Sequence, residues 1–151
     1  ANLLLYAYDS SSAQHGPARR WLEDRLSGAE TFGVAWIVLL AFIRLSTSPR
    51  VFESPFRVEE AVGLVESWLE LPCVRVLHPG PRHATLLRHL LGPLGSGGNL
   101  TTDAHLAAIA LEHDALLCSA DPDFSRFPGL RWRNPLAEGR SARHPRGRRP
   151  R

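Results

Sequence analysis

Three aspartates stand where carboxylates could act together on a substrate: Asp103, Asp121 and Asp123. Open parallel sheets bind their ligands outside the carboxyl ends of the strands. Asp121 and Asp123 follow an apolar strand-like run, Ala115 to Ser119, and Asp103 falls in the first turn of the helix that leads into it. Singly, each has an ordinary reading, because the helix dipole favours a first-turn acid and Asp-Pro dipeptides form turns. The neighbours change the balance. Ala104, Ala107, Ala108 and Ala110 are small enough to press this helix onto a sheet, and Ala107 shares the face of Asp103. An unpaired carboxylate on an inward face is costly, and a cluster of them repels itself unless protonated or neutralised by a cation. Asn99, Thr101 and Thr102 add oxygen ligands or hydrogen bonds nearby. Hard oxygen donors without a Cys or His set favour Mg²⁺ or Mn²⁺ over Zn²⁺. His105, two residues from Asp103, points about 200° away around a 3.6-residue turn and is not expected as a ligand.

Those acids need elements to hold them. Asn2 to Tyr8 is a continuous apolar run that reads as a buried parallel strand. It opens without a lead-in, so the strand's first residues are expected upstream of Ala1. Ser10 to Ser12 form a polar break, and Ala18, Trp21, Leu22 and Leu26 then recur at helical spacing, ended by Gly28. A short strand near Thr31 to Val34 leads into a mostly buried helix, roughly Ala35 to Thr47, stopped by Ser48-Pro49. Ala61, Val62, Val65, Trp68 and Leu69 line a third helix. Val74 to Leu77 reads as a strand, and Leu86, Leu87, Leu90 and Leu91 mark a fourth helix. Gly92 to Asn99 is a loop by composition. A fifth helix, Thr102 to His113, and a last strand around Leu130 to Arg133 complete the alternation. Strands alternating with helices imply an α/β fold, a short parallel sheet flanked by helices in three layers.

Composition narrows the class. The chain has 151 residues, 44% hydrophobic and 22% charged, which suits one soluble domain. No apolar run approaches the roughly 18–20 residues of a membrane span, so no membrane partner is expected and the expected compartment is the cytoplasm. Cys73 and Cys118 give no disulfide framework and read as buried thiols. The net charge of +3 is uneven: residues 138–151 hold six Arg and one Glu, leaving −2 on residues 1–137. The folded part is thus expected to span 1–137, followed by a disordered Arg-rich tail, 138–151. Glu23, Glu59, Glu60, Glu66 and Glu70 read as solvated helix faces. There is no P-loop and no G-x-S-x-G.

Several phrases resemble the PIN-domain ribonuclease toxins of the VapC type. They are Ala1-Asn2-Leu3-Leu4-Leu5-Tyr6-Ala7, Gly98-Asn99-Leu100-Thr101-Thr102-Asp103-Ala104-His105-Leu106-Ala107-Ala108 and Ser119-Ala120-Asp121-Pro122-Asp123-Phe124. The ending Phe127-Pro128-Gly129-Leu130-Arg131-Trp132-Arg133-Asn134-Pro135-Leu136 matches too, so the resemblance covers roughly residues 1 to 136. It implies a metal-dependent endoribonuclease, the toxin of a type II toxin–antitoxin system, with a cognate antitoxin and frequently a homodimer. Carried over, Asp103 is the helix-start metal ligand and Asp121 the strand-end acid, with Asp123 as a third catalytic carboxylate and Mg²⁺ or Mn²⁺ as cofactor. Arg44, Asn99 and Thr102 are the candidate substrate-binding residues. For Arg44, a buried ion pair is the alternative.

The sequence departs from the pattern twice. The family's first Asp would directly precede Ala1, and the place of a Glu on its second helix is taken by Ala41. Two functions therefore stand side by side: hydrolysis of RNA phosphodiester bonds, or a catalytically decayed module that still folds and sequesters an antitoxin.

Overall fold

The run Asn2–Tyr8 is not a strand. In the computed structural model, which describes residues 1–95 and 97–137, it forms helix α1. Leu and Ala are strong helix formers and the run contains no β-branched residue. Its buried positions, Leu3, Leu4 and Ala7, keep helical and not alternating spacing. The expected tail, 138–151, lies outside the described residues.

The remaining elements follow the periodicities closely. Helix α2 (His15–Ser27) buries Ala18 and Leu22 and carries an exposed Arg19–Glu23 ion pair one turn apart, at 2.8 Å. Strand β1 (Phe32–Val34) leads into α3 (Trp36–Ser46), which buries Leu39, Phe42 and Ser46 and leaves Trp36 and Leu40 exposed. Helix α4 (Val58–Leu69) buries Ala61, Val65 and Trp68, and its Glu60 carboxylate accepts the Arg57 backbone N–H at its start. Strand β2 (Val74–Val76), helix α5 (His83–Leu91) and a 3-10 turn, Gly92–Leu94, follow. Gly95 then turns with φ 69°, a left-handed conformation that costs glycine nothing. Helix α6 (Leu100–Glu112), strand β3 (Leu117–Cys118), a second 3-10 turn, Pro122–Arg126, and β4 (Trp132–Arg133) complete the order.

Both strand pairs are parallel, as the βα alternation requires, but they form two sheets instead of one. Strand β1 pairs β2 with Gly33 opposite Arg75, and β3 pairs β4 with Cys118 opposite Arg133. The run expected to join them is wound up in α1. An apolar cavity of about 360 Å³ lies between the pairs, bordered by Phe32, Gly33 and Val34 on one side and Leu117 and Cys118 on the other.

Two apolar clusters divide the interior. One gathers Leu3, Leu22, Leu39, Phe42, Val65 and Trp68 from the first four helices. At its centre Phe42 and Trp68 rings lie 4.9 Å apart, and the Trp68 indole N–H donates to the Tyr8 hydroxyl at 3.3 Å. The other packs Leu90 of α5 and the alanines of α6 against Phe124 and Phe127. Ala104, Ala107 and Ala108 have no exposed surface, so α6 sits tight against the turn that carries Asp121 and Asp123. Truncating Phe42 to Ala should cost about 3–5 kcal/mol through lost burial and an unfilled void. Leu40→Ala, on the exposed side of the same helix, should stay within about 0.5 kcal/mol. Urea unfolding of both variants checks this, and equal losses would contradict the burial described.

Candidate metal centre

Asp103 sits in the first turn of α6, and Asp121 is the N-cap of the turn Pro122–Arg126. The turn is closed locally: the Asp121 carboxylate accepts the Asp123 backbone N–H at 2.9 Å. Between β3 and Asp121, the buried Ser119 hydroxyl accepts the Asp121 N–H at 3.1 Å and a hydrogen from the Asn2 side chain at 3.2 Å. Asn2 also accepts the Ala120 N–H through its own oxygen, at 3.3 Å. The start of α1 is thereby fastened to the end of β3, residues 117 and 118 positions apart.

The result is a cluster. Carboxylate oxygens of Asp103, Asp121 and Asp123 all lie within 4.8 Å of one another. Burial first, and then the charges of Asp121 and Asp123, push the Asp103 carboxyl above the usual carboxylate range. The donor chemistry fits a hard divalent cation. Three carboxylates with no Cys or His among them would hold such an ion through oxygen alone.

The other candidates fall differently. Asn99 is the exposed N-cap residue of α6 and makes no side-chain cap bond, and Thr102 lies exposed in the first turn. Both border the helix end that carries Asp103. Arg44 is exposed on the last turn of α3, so the buried ion pair considered for it does not form. Ala41 lies half-buried on α3 and offers no ligand atom.

His105 faces away from the cluster, toward α5. Its Nδ1 is 2.8 Å from His83 Nε2, and His83 Nδ1 is 3.3 Å from Glu112. Burial would raise the Glu112 pKa, but the backbone N–H groups of Gly80 and Arg82, with His83, outweigh it and hold the carboxyl below its usual range. This seam anchors the far end of α6. Neither Asn2 nor Arg126 stands out in the sequence as part of the site. Asn2 had one available signal, as the lone polar residue of its run. Arg126, whose Nη1 is 3.6 Å from Asp123 Oδ1, had none beyond its place after the Asp-Pro-Asp turn.

Known proteins share this arrangement of elements. The family model of the PIN domain matches residues 1–130. Ribonuclease VapC37 of Mycobacterium tuberculosis is 47% identical over 137 residues, covering 91% of this chain and 95% of that protein. VapC ribonuclease Mb2897 of Mycobacterium bovis is 41% identical over 135 residues, 89% of this chain and 92% of its own. The crystal structure of VapBC2 from Rickettsia felis bound to a DNA fragment from their promoter has the same fold, with a TM-score of 0.63 at 19% identity, over 88% of this chain and 93% of that one. The chain belongs to the PIN domain family. Within that family it groups with the VapC ribonucleases, in agreement with the α/β class and the resemblance read from its sequence.

The raised Asp103 pKa has a definite sign in stability. The folded chain holds that proton more tightly than the unfolded chain, so ionised Asp103 costs stability above its raised pKa and the cost is relieved as pH falls through it. Without divalent cations at pH 7, Asp103→Asn should therefore melt above wild type, and the gap should close on acidification through that pKa. Adding Mn²⁺ should raise the wild-type melting temperature and leave the variant nearly unmoved, since only a folded-state ligand stabilises. Equal Mn²⁺ shifts in both proteins would exclude Asp103 as a ligand.

Proposed function

We propose that the chain hydrolyses RNA phosphodiester bonds at the Asp103–Asp121–Asp123 cluster, with Asp103 and Asp121 holding Mg²⁺ or Mn²⁺, as the toxin of a type II toxin–antitoxin system. The observation that carries this reading is the approach of three carboxylate oxygens to within 4.8 Å at one corner of a PIN fold. A bound divalent cation supplies Lewis acidity, offsetting phosphate charge and acidifying a water. The chain's own residues do the rest. Asp121, held by the Asp123 N–H and Ser119, keeps a fixed orientation. Asp103 stands on a helix that cannot shift without disturbing its alanine contacts, and Asp123 faces solvent, where a proton can be delivered or released. Asn99 and Thr102, exposed beside Asp103, contact the ribose-phosphate chain, and Arg44 adds attraction from α3.

The partners follow from the same reading. RNA is the substrate, a cognate antitoxin restrains the enzyme, and the protein acts in the cytoplasm as a homodimer. Trp36 and Leu40, 46% and 58% exposed one turn apart on α3, supply apolar surface suited to such contacts. No helix among the described residues is long and apolar enough to cross a membrane.

Ala41 favours a second reading, a decayed toxin that binds its antitoxin without cleaving RNA. A cleavage assay on RNA with Mg²⁺ or Mn²⁺ separates the two. Asp103→Asn should lower the wild-type rate by more than the ~10–100-fold typical of losing an outer partner of a metal. Absence of cleavage by the wild type, with antitoxin binding intact, would establish the decayed module.

A further inference from the structure

We propose that Arg126 is a further phosphate-binding side chain of the site, and that it reaches the substrate by releasing Asp123. The inference rests on the RNA-hydrolysis reading above. Arg126 is carried by the same short turn as Asp123, and the turn is capped by Asp121, so its backbone keeps a fixed place relative to two of the three acids and its guanidinium stays within reach of them.

Its present contact is loose. Nη1 stands 3.6 Å from Asp123 Oδ1, with both side chains about half exposed. A charge-assisted N–H···O⁻ bond closes to about 2.7–2.9 Å. Arg19, Arg25 and Arg131 reach that range with Glu23, Glu30 and Asp114, at 2.8, 2.9 and 2.8 Å, so those arginines are already engaged elsewhere on the surface.

Charge balance gives the loose pair a purpose. Three carboxylates repel a phosphodiester, and one divalent cation would leave the corner with a single negative charge. Arg126 cancels that remainder. A cation drawing on Asp123 competes directly with the guanidinium. Once displaced, the guanidinium presents a planar fork of donors that matches two phosphate oxygens. Arg126 thus opposes the cation before substrate arrives and serves the phosphate afterwards.

The two roles carry opposite signs, which makes the test sharp. With the full chain and Mn²⁺ alone, calorimetric titration of Arg126→Gln should show cation binding about two- to fivefold tighter than wild type, the range spanned by one exposed ion pair. Binding of a single-stranded 2′-O-methyl RNA oligonucleotide should weaken in the same variant. In Mn²⁺, its dependence of log affinity on log NaCl should become shallower by about 0.7, one phosphate contact on a single strand. In EDTA the slope should match wild type, because Arg126 is then held by Asp123. Arg126→Lys keeps the charge and should restore the Mn²⁺-dependent slope. An unchanged slope in Mn²⁺, or weaker Mn²⁺ binding by Arg126→Gln, would overturn the proposal. Asp103→Asn is the control for the underlying reading. If it binds Mn²⁺ like wild type, the metal site itself is wrong. If it loses Mn²⁺ while Arg126→Gln changes nothing, only the role of Arg126 falls.

Discussion

Three carboxylate oxygens confined within 4.8 Å repel one another, and that repulsion is the condition the surrounding structure has to withstand. Their backbones are held from two directions. Asp103 is carried by a helix packed through alanines, and Asp121 and Asp123 by a turn closed on its own side-chain bond. Burial first, and then the charges of Asp121 and Asp123, raise the affinity of Asp103 for a proton. A divalent cation bound at this corner would relieve the repulsion.

The supporting bonds run outward in layers that connect distant parts of the chain. Ser119 takes hydrogens from Asp121 and Asn2, so α1 and β3 meet at the site. Phe124 and Phe127, 6.1 Å apart, wedge the turn against α6 from beneath. On the opposite face of α6, Glu112 and the two histidines tie the helix to the segment entering α5. Nothing in this scheme depends on a large sheet. Two short parallel pairs suffice to aim β3 at its turn.

Much of this was legible in the sequence because it is local. The alanine face of α6, the Asp-Pro-Asp turn and the periodicities of α2 to α5 depend on residues a few positions apart, where spacing translates directly into geometry. The run Asn2–Tyr8 misled because continuous apolarity fits a buried strand and a buried helix equally well. Its Leu and Ala content, with no Val or Ile, was the better guide. What could not be read was the fastening of Asn2 to Ser119, across 117 positions, and the approach of Arg126 to Asp123. The first is a tertiary contact with no pattern in the chain. The second rests on the angle of a turn that spacing does not specify. Arg44, by contrast, was named for its place on a helix, and its exposed position shows how little helical position says about where a side chain ends.

The two walls of the corner also differ in how they can move. Helix α6 has thirteen residues, about 20 Å of continuous hydrogen-bonded backbone. It is clamped by alanine packing along its length and by Glu112 at its end. The opposite wall is a five-residue 3-10 turn whose N-cap acid, Asp121, is held by one short bond and whose second residue, Asp123, faces solvent. Tightening around an ion would fall to the exposed Asp123 side of the turn, on the nanosecond-to-microsecond scale of loop motion and not the slower scale of helix displacement. The corner behaves as an anvil and a light hammer. Capture of an ion there would draw on the five residues of the turn, and the thirteen of the helix would give the fixed side of the geometry.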